Sequence, residues 1–83
     1  MAQAKLLLPR RDPSDPAYVF VREKLISARK ATGLTQQALA EIVGRPQSFV
    51  AKIERGERYI DLIEAIALAS ILGLSVDELT PEI

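Results

Sequence analysis

The sequence predicts an all-α domain, a compact bundle of four to five short helices containing a helix-turn-helix. Three observations predict it. Apolar residues recur at helical spacing through most of the chain after residue 16. Gly33, Gly44, Gly56 and Gly73 stand at the ends of those periodic runs, where left-handed helix stops fall. No stretch alternates or runs apolar in the manner of a convincing strand, and no internal repeat is present. Eighty-three residues hold one core, and 48% apolar with 27% charged residues is the balance of a folded domain.

Residues 1–16 form an expected extended or disordered arm. Pro9, Pro13 and Pro16 within eight residues forbid a continuing helix, and Leu6-Leu7-Leu8 is either a strand or a patch laid on another surface. The domain proper is expected over 17–80, with 81–83 as a tail. The first helix, about 17–32, places Val21, Leu25, Ala28 and Thr32 on one face, and Gly33 with Leu34 supplies its stop. Thr35 caps the second helix, Gln36 to Val43, which buries Leu39, Ala40 and Val43 and ends at Gly44. Pro46 fits the first turn of a third helix, about 46–55, with Val50 and Ile53 inward and Gly56 closing it. Asp61 with Glu64 three residues on reads as an acidic capping box for a fourth helix that runs to Leu72. It carries Leu62, Ile63, Ile66, Leu68, Ala69 and Leu72, and Gly73 stops it. Ser75 caps a last short turn, Val76 to Leu79.

Composition excludes whole classes of chemistry. With neither Cys nor His there is no disulfide, no thiol nucleophile, no thiolate or imidazole metal site and no histidine acid–base step. No glycine-rich phosphate loop of the GxxxxGK type occurs, so an enzyme is not expected, nor any cofactor or metal. Acids interrupt every long apolar stretch, so no membrane span is expected. Met1 to Leu8 is too short for a signal sequence, and the expected location is the cytoplasm.

The zero net charge hides a polarised chain. All eleven Lys and Arg precede position 60 alongside six acids, a balance of +5, whereas residues 61–83 carry five acids and no base, −5. Such a split either reflects chance segregation or sets one face toward an anionic partner and another away from it.

Two short helices joined by a glycine-containing turn cross steeply. Ala40 is small enough for close approach, Gly44 permits a positive φ in the turn, and Leu39, Val43, Val50 and Ile53 hold the pair inward. In this register the third helix presents Gln47, Ser48 and Lys52 outward. A Gln amide matches adenine N6 and N7, Ser48 donates to or accepts from a base or phosphate, and Lys52 reaches guanine or the backbone. The bland alternative for these three is a solvated helix face.

Residues 25–56 read Leu-x-x-Ala-Arg-x-x-x-Gly-Leu-Thr-Gln-x-x-Leu-Ala-x-x-x-Gly-Arg-Pro-Gln-Ser-Phe-Val-x-Lys-Ile-Glu-Arg-Gly. This stretch resembles the lambda-repressor/Cro-type helix-turn-helix, the XRE family of DNA-binding regulators, over roughly residues 18–79. The resemblance implies a lambda-repressor-like fold that binds double-stranded DNA as a homodimer, with the third helix in the major groove. It implies a regulator, expected here as a repressor, of bacterial or phage type and associated with the nucleoid. It also implies that Gln36 contacts phosphate at the start of the second helix. Arg45 in the turn, with Arg55 and Arg58 around Gly56, either extends a positive rim along the DNA backbone or is ordinary surface charge, and Arg58 has the alternative of probing a minor groove. Arg29 and Glu54 are implied to pair structurally between the first and third helices, because a free acid there would repel phosphate.

Two residues depart from the family pattern. Pro46 replaces the usual Ser or Thr cap, so capping must come from elsewhere. Phe49 either meets a thymine methyl or packs on neighbouring helix surface. Leu74 and Leu79 are expected in the core. Helix five and the loop before it are a candidate two-fold contact. The alternative function is an antitoxin or other protein-binding module of the same fold, with the N-terminal arm contacting a protein partner.

Overall fold

The computed structural model describes residues 12–81; the greater part of the expected arm, residues 1–11, and the tail residues 82–83 lie outside them. Four α-helices follow one another, α1 Pro16–Ala31, α2 Gln36–Val43, α3 Gln47–Glu54 and α4 Leu62–Leu72, and a 3₁₀ turn Val76–Leu79 ends the fold. Among the described residues there is no strand.

The first helix begins one residue earlier than the periodicity suggests. Asp15 is in extended conformation and its Oδ1 accepts the Ala17 amide at 3.0 Å, which leaves Pro16 at the first helical position, where no amide hydrogen is needed. Thr35 caps α2 by accepting from the Ala38 amide at 3.0 Å. Asp61 and Glu64 close a reciprocal capping box at 2.8 and 3.1 Å, and Ser75 and Glu78 form a second.

Gly44 is where backbone freedom decides the architecture. Its φ of +70° lets the chain bend sharply between α2 and α3, and the following Arg45 amide donates back to the Ala40 carbonyl at 2.9 Å. Pro46 then stands just outside α3 and not within its first turn, with ψ of 156° and no side-chain cap. Its carbonyl instead receives the Phe49 amide at 2.9 Å, so the start of α3 is organised by proline's locked φ and a tight first turn.

One core unites these elements. Leu25 of α1, Leu39 and Ala40 of α2, Phe49, Val50 and Ile53 of α3, and Leu68 and Leu72 of α4 are buried together. Val21, Ala28, Leu34, Val43, Ile60, Ile71, Leu74 and Leu79 pack around them. The long helix α1 touches α3, α4 and the terminal turn, while α2 packs chiefly on α3. Each fully buried Leu, Ile, Val or Phe contributes about 1.5–3 kcal/mol. Ala40, 1% exposed, marks the close approach of α2 and α3.

The apolar residues of α4 divide sharply. Leu68, Ala69 and Leu72 are buried, whereas Leu62 and Ile63 are 73% exposed and Ile66 51%. Of the C-terminal apolar residues, Leu74 and Leu79 join the core and Val76 is left exposed. Ile83 lies outside the described residues.

Candidate nucleic-acid interface

Helix α3 has an inside and an outside. Phe49, Val50, Ala51 and Ile53 are buried, and this rotates Gln47, Ser48 and Lys52 to the exposed side. Ser48 and Lys52 are four residues apart, so their side chains lie one above the other, with Gln47 beside them at the N-terminal end. The base-reading candidates thus share one exposed surface. Gln36 begins α2, Arg45 stands in the turn before α3, Arg55 caps the C-terminus of α3 and Arg58 lies in the loop that leads to α4.

Gln47 is not loose on that surface. Its Nε2 donates to Gln36 Oε1 at 2.8 Å, across the turn of the helix-turn-helix. Gln36 Nε2 donates in turn to Glu54 Oε1 at 2.8 Å. Glu54 receives Arg29 on both oxygens, Nε to Oε2 at 2.6 Å and Nη2 to Oε1 at 3.0 Å, with the side chains only 11% and 9% exposed. Arg29 Nη1 also donates to the Leu34 carbonyl at 2.8 Å, tying the α1–α2 link to the same cluster. Glu54 is therefore paired and hydrogen-bonded, which is the condition for keeping a charge away from water. Gln36 retains one Nε2 hydrogen beyond the bond to Glu54.

The arginines differ in their freedom. Arg58 is engaged twice by Glu64, at 2.8 and 2.9 Å, and donates to the Tyr59 carbonyl at 2.9 Å. Arg45 reaches the same carboxylate at 3.7 Å with half its side chain exposed. The Arg58 guanidinium lies 4.6 Å and the Arg45 guanidinium 4.9 Å from the Phe49 ring centre, both within cation–π range. Phe49 is itself only 8% exposed, so it packs within the protein and does not stand out toward a ligand. Arg58 holds the Glu64 carboxyl down to about 2, helped by the Asp61 amide and by Arg45, and Glu64 in turn raises Arg58. Arg55 pairs with Glu57 at 3.0 and 3.1 Å on open surface, a bond that lowers Glu57 and raises Arg55.

Sequence reasoning read Glu64 as a helix cap and missed its second task of holding Arg58 and Arg45. The capping-box spacing is local, whereas the approach of Arg45 and Phe49 to Glu64 depends on how α4 packs against the turn. The pairing of Gln36 with Gln47 was likewise hidden, although two glutamines flanking a tight helix-turn-helix were its available signal.

The chain is similar to known proteins in both sequence and fold. The helix-turn-helix family model HTH_3 matches residues 25–79. The control protein C.SmaI of Serratia marcescens is 39% identical over 60 residues, covering 72% of this chain and 71% of that protein. An XRE-family-like protein from Pseudomonas syringae pv. tomato is 41% identical at a TM-score of 0.70, covering 76% of this chain and 77% of the other. The restriction-modification controller protein C.AhdI of Aeromonas hydrophila is 36% identical at a TM-score of 0.65, covering 74% and 88%. The matched family is one of DNA-binding regulators and not of enzymes, and no helix among the described residues is long and apolar enough to cross a membrane. The chain belongs to the XRE-type helix-turn-helix family of DNA-binding transcription regulators.

Proposed function

We propose that this protein is a sequence-specific repressor that binds a short palindromic site in double-stranded DNA as a homodimer. Helix α3 enters the major groove, with Gln47, Ser48 and Lys52 reading base edges. Gln36, Arg45, Arg55 and Arg58 take backbone phosphates on either side. The observation that carries this reading is the exposed row of Gln47, Ser48 and Lys52, with the Gln47 amide held in place by Gln36. Likeness to C.AhdI, a restriction-modification controller, and to the control protein C.SmaI supports the same role in gene control for this chain, in the cytoplasm of a bacterium or phage host.

The dimer partner is a second copy, seated on the exposed apolar face of α4. Leu62, Ile63 and Ile66 lie open there, on a part of the chain without Lys or Arg that does not compete for phosphate. This face carries more exposed apolar surface than the 3₁₀ turn, where Val76 alone is open. A two-fold contact of this kind sets two α3 helices one turn of DNA apart, about 34 Å.

Selection of duplexes from a random pool, at two salt concentrations, tests the whole reading. It is expected to return paired half-sites bound with a steep salt dependence. Gln47→Ala and Lys52→Ala are expected to weaken binding to the selected site, and Glu23→Ala, exposed on α1, to leave it unchanged. Equal loss in all three variants refutes the assignment of roles.

A further inference from the structure

Glu54 lies behind the recognition surface, yet it is connected to the outermost reading amide through one intermediate residue. A carboxylate accepts hydrogen bonds and never donates them. Glu54 Oε1 therefore receives the NH₂ end of Gln36, at 2.8 Å. That leaves the Gln36 oxygen turned toward Gln47, and an amide oxygen also only accepts. Gln47 must then turn its own NH₂ to Gln36, as it does at 2.8 Å. The direction of two amides, which can ordinarily rotate by half a turn at little cost, is dictated by one acid at the start of the row.

Two features keep that acid fixed. Arg29 grips both of its oxygens, and the Glu54 side chain is only 9% exposed, which limits the access of competing donors from solvent. On the outer side, Gln47 is left with its oxygen and one N–H. Adenine in the major groove needs an acceptor for N6–H and a donor for N7, in a fixed order.

We propose that Glu54 is a positioning residue for base selection. Its acceptor-only carboxylate sets the amide order of Gln36, and through it that of Gln47, so that residue 47 favours adenine at the position it reads. The proposal rests on the reading of Gln47 as a base contact.

The test compares Glu54→Gln with Arg29→Lys in the full chain. A Gln at position 54 takes Arg29 on its oxygen and turns an NH₂ on Gln36, which forces both following amides to reverse. Arg29→Lys weakens the same ion pair but keeps residue 54 acceptor-only. Through-hydrogen-bond NMR couplings in the free protein report the amide order. They are expected to run from Gln36 Nε2 to the Glu54 carboxyl and from Gln47 Nε2 to the Gln36 carbonyl, with the second link reversed in Glu54→Gln.

Binding to duplexes that differ only at the pair relaxed by Gln47→Ala reports selectivity. An adenine preference on the order of tenfold is expected to fall below about twofold in Glu54→Gln and to persist in Arg29→Lys. Thermal melts of both variants separate loss of folding from loss of selectivity. Couplings unchanged by Glu54→Gln, or an adenine preference that survives their reversal, overturn the proposal. Should Gln47→Ala relax no base pair, the base-contact reading fails and adenine selection falls with it; the couplings separately show whether Glu54 orders the amides.

Discussion

Glu64 grips the Arg58 guanidinium with both carboxylate oxygens, at 2.8 and 2.9 Å, while its Oε1 also receives the Asp61 amide that begins α4. One side chain thus joins the start of a helix to the arginine that lies over Phe49. The pairing lowers the carboxyl from 4.5 to about 2. The folded chain resists protonation there more than the unfolded chain does, so the stabilisation is complete above about pH 4.5 and is lost as pH falls toward 2. Glu64→Gln keeps a capping-box residue but loses the ion pair. With Arg58 a third exposed, the expected cost is about 1–2 kcal/mol, or roughly 5–10 °C in Tm near pH 7. Melting curves of both proteins should converge between pH 4.5 and 2.

Salt dependence distinguishes the arginines. Arg45→Ala is expected to lower the slope of log binding constant against log salt by about 0.9, the loss of one phosphate contact. Arg58→Ala should reduce the slope less, because its charge is already balanced by Glu64 in the free protein. Fluorescence anisotropy on one selected duplex between about 50 and 200 mM salt measures both.

Core substitutions should weaken DNA binding through folding alone. Ile53 is 4% exposed and sits among α1, α3 and α4 residues, so Ile53→Ala is expected to cost about 2–4 kcal/mol. Ala40→Leu forces extra volume into the α2–α3 crossing and is expected to cost about 1–3 kcal/mol. Urea unfolding followed by circular dichroism reads both. Binding should return to near wild-type affinity once expressed per folded molecule.

Charge placed on α4 tests the proposed two-fold contact. Ile63→Glu and Ile66→Glu fall on exposed positions and should leave the monomer fold nearly unchanged, within about 0.5 kcal/mol. Sedimentation equilibrium should show a shift from dimer to monomer. Binding to a full palindrome should weaken by at least about tenfold, while half-site binding changes little. A wild-type chain that remains monomeric at high micromolar concentration, with and without DNA, overturns the two-fold contact.

Much of the fold was legible in the sequence because its signals are local. The Thr35, Asp61 and Ser75 caps bind amides three residues away, and the glycine stops act within a single turn. The boundaries that moved did so for equally local reasons. Pro16 accepts the first helical position once Asp15 caps the turn, and extended Pro46 leaves α3 to start at Gln47. Phe49 was ambiguous because an aromatic at that spacing suits a groove or a core; packing places it in the core beneath Arg45 and Arg58.

The amino-acid order alone determined the helices, the steep bend at Gly44 and the outward register of Gln47, Ser48 and Lys52, since each follows from bonds and periodicities spanning a few residues. Tertiary packing decided which groups meet across longer separations: Gln36 with Gln47 and Glu54, Arg58 and Arg45 with Glu64, and α4 with one covered and one open apolar side. Helix α4 is apolar nearly all round, so no periodicity could say which side the core would take. That choice was made by packing against α1 and the shared core, which takes Leu68 and Leu72 and leaves Leu62, Ile63 and Ile66 open.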